Sequence, residues 1–132
     1  MTQKRIHLWI GSNFFPENEY LKYFEIDHST EGDFDNPSYN ICGFCKDIGE
    51  VWYDEDFIGI LPRKEGNIPV PDLLTEAAVD PKEYLAIIDK CLDLGIIEAN
   101  ALFWYQDEDL IPPTPYKDSY NSLKYIGVFL ED

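Results

Sequence analysis

The sequence is poor in positive charge. Ten Lys and Arg stand against twenty-six Asp and Glu, a formal net charge of -16 over 132 residues. A chain this negative repels nucleic-acid phosphates and anionic lipid headgroups, so neither nucleic acid nor a membrane is an expected partner. Long apolar runs are missing as well, since nothing approaches the roughly eighteen uninterrupted apolar residues of a membrane-spanning helix. The opening MTQKRIHLWIGS has two early bases and a short apolar stretch but no small-residue cleavage site, and a cytoplasmic, soluble protein is expected. Cysteine is scarce. Cys42, Cys45 and Cys91 cannot all pair within one chain, and a domain of this length builds its core without staples, so reduced thiols are expected. No glycine-rich loop of the kind that cradles phosphate is present.

Aromatic and acidic residues are what the chain has in quantity. It is 45% hydrophobic and 15% aromatic, far too apolar for an acidic disordered tail. Ten acids lie between Glu25 and Asp56 with Lys46 as the only Lys or Arg, so the segment nets -9, and Phe34, Tyr39, Phe44, Trp52, Tyr53 and Phe57 are interleaved with them. A folded, strongly negative surface meant for contact is the expectation.

Periodicity predicts the elements. Residues 4–11 alternate Ile6, Leu8 and Ile10 against His7 and Trp9, as a strand does. Pro16 with Glu17 and Glu19 opens a short helix, followed by an acidic loop over 25–38. Tyr39, Cys42 and Cys45 share helical spacing through Asp47 or Ile48, with Gly49 suited to end the turn. A strand over 52–61, entered through Asp54, Glu55 and Asp56, precedes a loop marked by Pro69 and Pro71 that ends in a turn through Leu74. Asp80, Pro81 and Glu83 form the plainest start signal in the chain, for a helix running to Leu94 and stopped by Gly95. Its buried stripe is Tyr84, Ile87, Ile88, Cys91 and Leu92. Strands over 99–106 and 123–130 complete the order, separated by a connection containing Pro112, Pro113 and Pro115. The fold class expected is α+β: one domain over 1–132, with a mainly antiparallel sheet of about four strands and helices packed on one face.

Catalytic chemistry finds little support. Cys42-Gly43-Phe44-Cys45 has the spacing of a redox pair or half a zinc site, but the surrounding acids oppose thiolate formation, and a zinc site needs ligands beyond Cys91, His7 and His28. Buried small residues are the plainer account of it. His7 reads as a sheet-face residue and His28 as a solvated one, with no visible catalytic partner for either. Paired carboxylates at Asp54/Asp56 and Asp107/Asp109 are common in turns, and Asp33, Asp35 and Asn36 lack the glycine and closing glutamate of a calcium loop. No cofactor, metal ligand or catalytic residue is assigned.

Two segments share one form, aromatics leading straight into an acidic triplet: Trp52, Tyr53, then Asp54, Glu55, Asp56; and Phe103, Trp104, Tyr105, then Gln106 and Asp107, Glu108, Asp109. The bland account is core rings with solvated turns. The functional one is an anionic patch with aromatic anchors, made to recognise a basic protein. The candidate partner-binding residues are Asp33, Asp35, Asp47, Trp52, Tyr53, Asp54, Glu55, Asp56, Asp107, Glu108 and Asp109.

The blocks Leu8-Trp9-Ile10-Gly11, Tyr23-Phe24-Glu25, Cys42 through Gly49, Trp52 through Gly59, Ala101 through Asp107 and Tyr120 through Phe129 together resemble the immunity protein 22 family, over nearly the whole chain. The resemblance implies a small cytosolic bacterial protein that binds and neutralises a cognate polymorphic toxin, without catalytic residues of its own. A nuclease toxin would offer a basic groove to an acidic surface. The competing functions are a thiol-redox or metal-binding enzyme built on Cys42 and Cys45, and an acidic mimic of nucleic acid that inhibits many basic enzymes.

Overall fold

The computed structural model describes residues 4–132. Ten regular elements follow in the order β1 (Arg5–Gly11), α1 (Glu17–Lys22), α2 (Gly43–Ile48), β2 (Ile58–Ile60), β3 (Ile68–Pro69), α3 (Val70–Leu74), α4 (Tyr84–Asp93), β4 (Glu98–Ala99), β5 (Ala101–Tyr105) and β6 (Leu123–Leu130). Four strands form one sheet in the order β2-β5-β1-β6, and every neighbouring pair is antiparallel. The α+β class and the four-stranded antiparallel sheet are as the sequence leads one to expect. A two-stranded ribbon of β3 and β4 is additional.

The helices lie on both faces of the sheet, not on one. Ile6, Leu8, Ile10 and Leu102 point to one side, where they meet Val70, Leu73, Leu74, Ile87 and Cys91 of α3 and α4. Trp9, Phe103 and Tyr105 point to the other, against Tyr20 of α1, Phe24 just beyond it, and Phe44, Cys45 and Ile48 of α2. The reason is in the strands themselves. Leu8, Trp9, Leu102 and Phe103 are all fully buried, and strands apolar on both sides must be covered on both sides. At about 25 cal/mol per Å², two such layers supply most of the drive to fold.

Packing also decides where strands stop. Only 58–60 of the expected 52–61 strand joins the sheet, because Asp54 uses its carboxylate to accept the Asp56 N–H at 3.0 Å and turns Glu55–Phe57 into one 3₁₀ turn. Gly59 sits under the indole of Trp104, where a Cβ would fall 2.1 Å from the ring. The 99–106 strand bends at Asn100, whose buried side chain accepts the Asn13 N–H at 2.8 Å and donates to the Asn13 and Lys64 carbonyls at 2.9 and 3.2 Å. In β6 an extra residue, Ile126, lies between the pairs Leu8↔Gly127 and Trp9↔Tyr125; the bulge puts Gly127 at φ 139, where a glycine fits.

The helix signal at Asp80 is used differently from a capping box. Asp80 caps a 3₁₀ turn, Pro81–Glu83, by accepting the Lys82 N–H at 3.0 Å, and α4 starts after it. The Asp80 N–H instead donates to the Leu130 carbonyl, and the Glu83 carboxylate accepts the Leu130 N–H, both at 2.9 Å. Both groups therefore dock the helix start onto edge strand β6. Of the expected stripe, Ile87 and Cys91 are buried and Tyr84 and Ile88 half-buried, whereas Leu92, at the margin, is 53% exposed. Among the described residues no helix is long and apolar enough to cross a membrane.

Candidate protein-binding surface

The pairing of β2 with β5 places Ile58 opposite Tyr105, and one step outward the Gln106 N–H donates to the Phe57 carbonyl at 3.0 Å. The entrance to β2 and the exit from β5 therefore lie side by side, and the two acidic triplets, distant in sequence, become neighbours. A third bond crosses between them, from the Asp54 N–H to the Tyr105 hydroxyl at 2.9 Å. Each turn is self-braced. Asp107 accepts the Asp109 N–H at 3.0 Å, repeating the bond that Asp54 makes to Asp56. Glu55, Asp56, Glu108 and Asp109 are exposed and Asp54 and Asp107 half-buried, so the carboxylates not used in bracing face solvent.

Below the 107–109 turn, His7 fills a polar gap in the aromatic face. Its Nε2 lies 3.0 Å from the Asp107 carbonyl and its Nδ1 2.8 Å from the Tyr125 hydroxyl. The carbonyl can only accept, so Nε2 carries the proton and Nδ1 accepts from Tyr125. Burial holds the His7 pKa below its ordinary value, which keeps the ring neutral, although the Asp107 carbonyl and charge pull the other way.

Exposed rings adjoin the acids. Phe57, 47% exposed, stands between the two turns beside a shallow cleft of about 230 Å³ that it shares with Lys4, Gln106, Asp107 and Glu108. Trp52, 43% exposed, carries Phe34 against it with ring centroids 6.4 Å apart, and Phe34 in turn packs on Tyr39 at 5.1 Å. The Tyr39 hydroxyl donates to the Val51 carbonyl at 2.6 Å and so ties the acidic loop to the segment before β2. His28 is solvated, as expected, and reaches Glu55 at 3.4 Å. Asp27 braces the loop's base by accepting the Ser29 and Asn40 N–H groups, both at 2.9 Å, and its pKa is drawn down to about 2, by the Ser29 side chain first and the Asn40 amide next. Asp33 and Asp35, both exposed, flank Phe34. The result is a strip running from Phe34 through Trp52 and the 54–56 turn to Phe57 and the 107–109 turn.

Two of the sequence-derived residues stand outside this strip. Tyr53 is buried, its hydroxyl donating to the Phe24 carbonyl and its ring set edge-on to Phe44 at 5.0 Å; it anchors the strip from beneath. Asp47 is paired with Lys117 and accepts the Tyr23 hydroxyl at 2.7 Å, so its charge is spent inside the fold. Conversely Phe34, Val51 and Phe57 belong to the exposed apolar part, beyond the candidates that the acidic motifs point to. Phe34 had a signal, since a large ring between two acids in a loop has no strand or helix face to hide on.

Among the described residues no group of three or more His, Cys, Asp or Glu could hold a metal ion. Cys42 and Cys45 lie in the aromatic layer and Cys91 in the aliphatic layer across the sheet, which keeps the third thiol from joining the other two. No curated protein and no solved structure matches the chain. The family model described as immunity protein 22 matches residues 6–131, from the start of the central strand to past the end of the edge strand β6: the chain belongs to the immunity protein 22 family.

Proposed function

We propose that this protein neutralises a cognate polymorphic toxin in the cytoplasm of the producing cell by binding it stoichiometrically, without catalysis, through the strip from Phe34 to the 107–109 turn. The observation that carries the reading is the juxtaposition of two acidic triplets across the β2–β5 pair, with Phe57 between them and Trp52 and Phe34 alongside. Exposed carboxylates steer a basic partner over a distance, and adjacent large rings supply the desolvated contact that steering lacks. The matching toxin surface is basic, as the substrate groove of a nuclease is, and occupying it shuts out the substrate's phosphates.

Hydrogen exchange of the protein alone and with its cognate toxin tests this. Slowed exchange over 33–35, 51–57 and 106–109 is the expected footprint. Protection confined to α4 and the outer side of β6 would sink the proposed surface while leaving the family role intact.

A further inference from the structure

Cys42 and Cys45 are set up for chemistry that the toxin-binding strip does not use. Their sulfurs lie 3.1 Å apart, inside ordinary contact distance for two sulfur atoms, and the Cys45 N–H donates to the Cys42 sulfur at 3.3 Å. The closeness is imposed by the core. The Phe44 N–H donates to the Tyr23 carbonyl at 3.0 Å, the Phe44 ring is fully buried among Trp9, Phe24, Tyr53 and Phe103, and the Tyr23 ring covers Gly43 so closely that a Cβ there would fall 2.7 Å from it. Packing and a thiol hydrogen bond, with no covalent bond between the sulfurs, hold the pair at 3.1 Å, against about 2.05 Å in a disulfide.

Both thiols are buried, but the two residues stand at different depths. Cys45 is fully enclosed, whereas Cys42 lines an open cleft of about 750 Å³ together with Gly43, Glu19, Lys22, Glu25 and Asp27. Three carboxylates against one ammonium make that approach negative. The thiols differ in acidity as well. Hydrogen bonds, first from the Cys45 thiol and then from backbone N–H groups, outweigh burial and draw the Cys42 pKa down to about 7, while the Cys45 pKa is raised. Cys91, alone in the opposite layer, is pushed up to about 11 by burial.

We propose that Cys42 and Cys45 are a modification site, at which a small cationic disulfide entering the acidic cleft oxidises the pair reversibly to an intramolecular disulfide within the folded domain. The Cys42 thiolate attacks one sulfur of the incoming disulfide, breaks its S–S bond and releases one thiolate, which takes a proton from solvent. The Cys45 thiol gives up its proton to solvent and attacks the Cys42 sulfur, expelling the second thiolate, which is protonated in turn. Two protein thiols are oxidised to one disulfide, and one small disulfide is reduced to two thiols. Because the sulfurs already touch, the second step outruns accumulation of the mixed disulfide.

Cystamine is the probe, applied to the full chain in native buffer. Thiol counting should fall from three to one, the intact mass should drop by two hydrogens with no cysteamine adduct, and the change should map to tryptic peptide 23–46, which contains both residues. Dithiothreitol should restore all three thiols. At low salt, anionic glutathione disulfide should react slower by tenfold or more, the scale on which charge steers encounters. Cys45→Ser should retain cysteamine on Cys42, and Cys91→Ser should behave as the unaltered chain. Three surviving thiols, a stable adduct on the unaltered chain, or a disulfide joining two chains would each overturn the proposal. Equal rates with the two disulfides would overturn its choice of a cationic reagent. None of these readouts involves a toxin, so the test stands or falls apart from the binding strip.

Discussion

The Tyr105 hydroxyl accepts a hydrogen bond from the Asp54 N–H at 2.9 Å, so a buried residue of one strand holds the acidic turn that leads into its neighbour. The same ring packs edge-on against Phe44 and Tyr53 at 5.6 and 5.8 Å. This side chain thus joins the core to the candidate surface, as His7 does at the Asp107 carbonyl.

Tyr105→Phe keeps the ring and removes the acceptor. It should cost about 0.5–1.5 kcal/mol in denaturant unfolding, the usual net worth of one such bond, and should speed amide exchange at Asp54 well beyond the general loss of stability. Unaltered exchange at that amide would show that the bond does not hold the turn.

Reversal of Asp54, Glu55 and Asp56 to Lys should slow association with the cognate toxin far more, per charge, than reversal of Asp89 and Asp93 on the exposed side of α4. A diffuse field would respond in proportion to the number of charges reversed. A patch beside Phe57 and Trp52 would not, because charges at the contact itself steer the encounter most, and where such a pair is buried its loss also speeds dissociation, at a cost of about 2–5 kcal/mol. Surface plasmon resonance at low and high salt, on variants shown to be folded, decides between them; equal effects per charge leave only diffuse acidity.

Gly59→Ala tests the strand that brings the triplets together. Its Cβ would sit 2.1 Å from the Trp104 indole, so the ring must leave its place or β2 must shift away from β5. Overpacking of this kind costs about 1–3 kcal/mol, and toxin binding should weaken with it, because Phe57 and Gln106 separate. A variant as stable as the unaltered chain would mean that Trp104 has another position open to it.

Acid should destabilise the fold partly through His7. Its pKa in the folded chain is lowered by burial, while in the unfolded chain it stands near 6.5. The neutral ring is favoured by folding, so its contribution is fully present above pH 6.5 and is lost as pH falls through that value toward the folded pKa, at about 1.4 kcal/mol for each unit separating the two. Subtracting the stability of a His7→Gln variant from that of the unaltered chain between pH 8 and 5 isolates the effect from the carboxylates. A difference that does not change with pH would refute it.

Local signals in the sequence located the elements well where a few adjacent residues decide the outcome. Asp80 with Pro81 marks the start of the turn before α4, Gly49 ends α2 in a left-handed conformation, and the alternation of Ile6, Leu8 and Ile10 defines β1. Choices made between distant segments were not legible. Nothing near Glu83 indicates that its carboxylate belongs to Leu130, nor does the sequence around Asp47 point to Lys117. Tyr53 and Trp52 are adjacent aromatics that periodicity treats alike, yet one is a core ring and the other a surface ring because the chain turns at Asp54. The acidic triplets were visible as two motifs. Their adjacency exists only once β2 pairs with β5.

The position of β1 sets a schedule for the molecule. Of the described strands this one comes first in the sequence, but its partners are β5, which begins at Ala101, and β6, which ends at Leu130. Until β5 has been made, Leu8 and Trp9 have no neighbouring strand, and a long loop must close before either pairing gives any return. Folding on these terms is late and cooperative, and an N-terminal fragment carries exposed apolar strand surface that other unfinished chains can bind. The strand order therefore ties completion of the sheet to the late segments that carry β5 and β6.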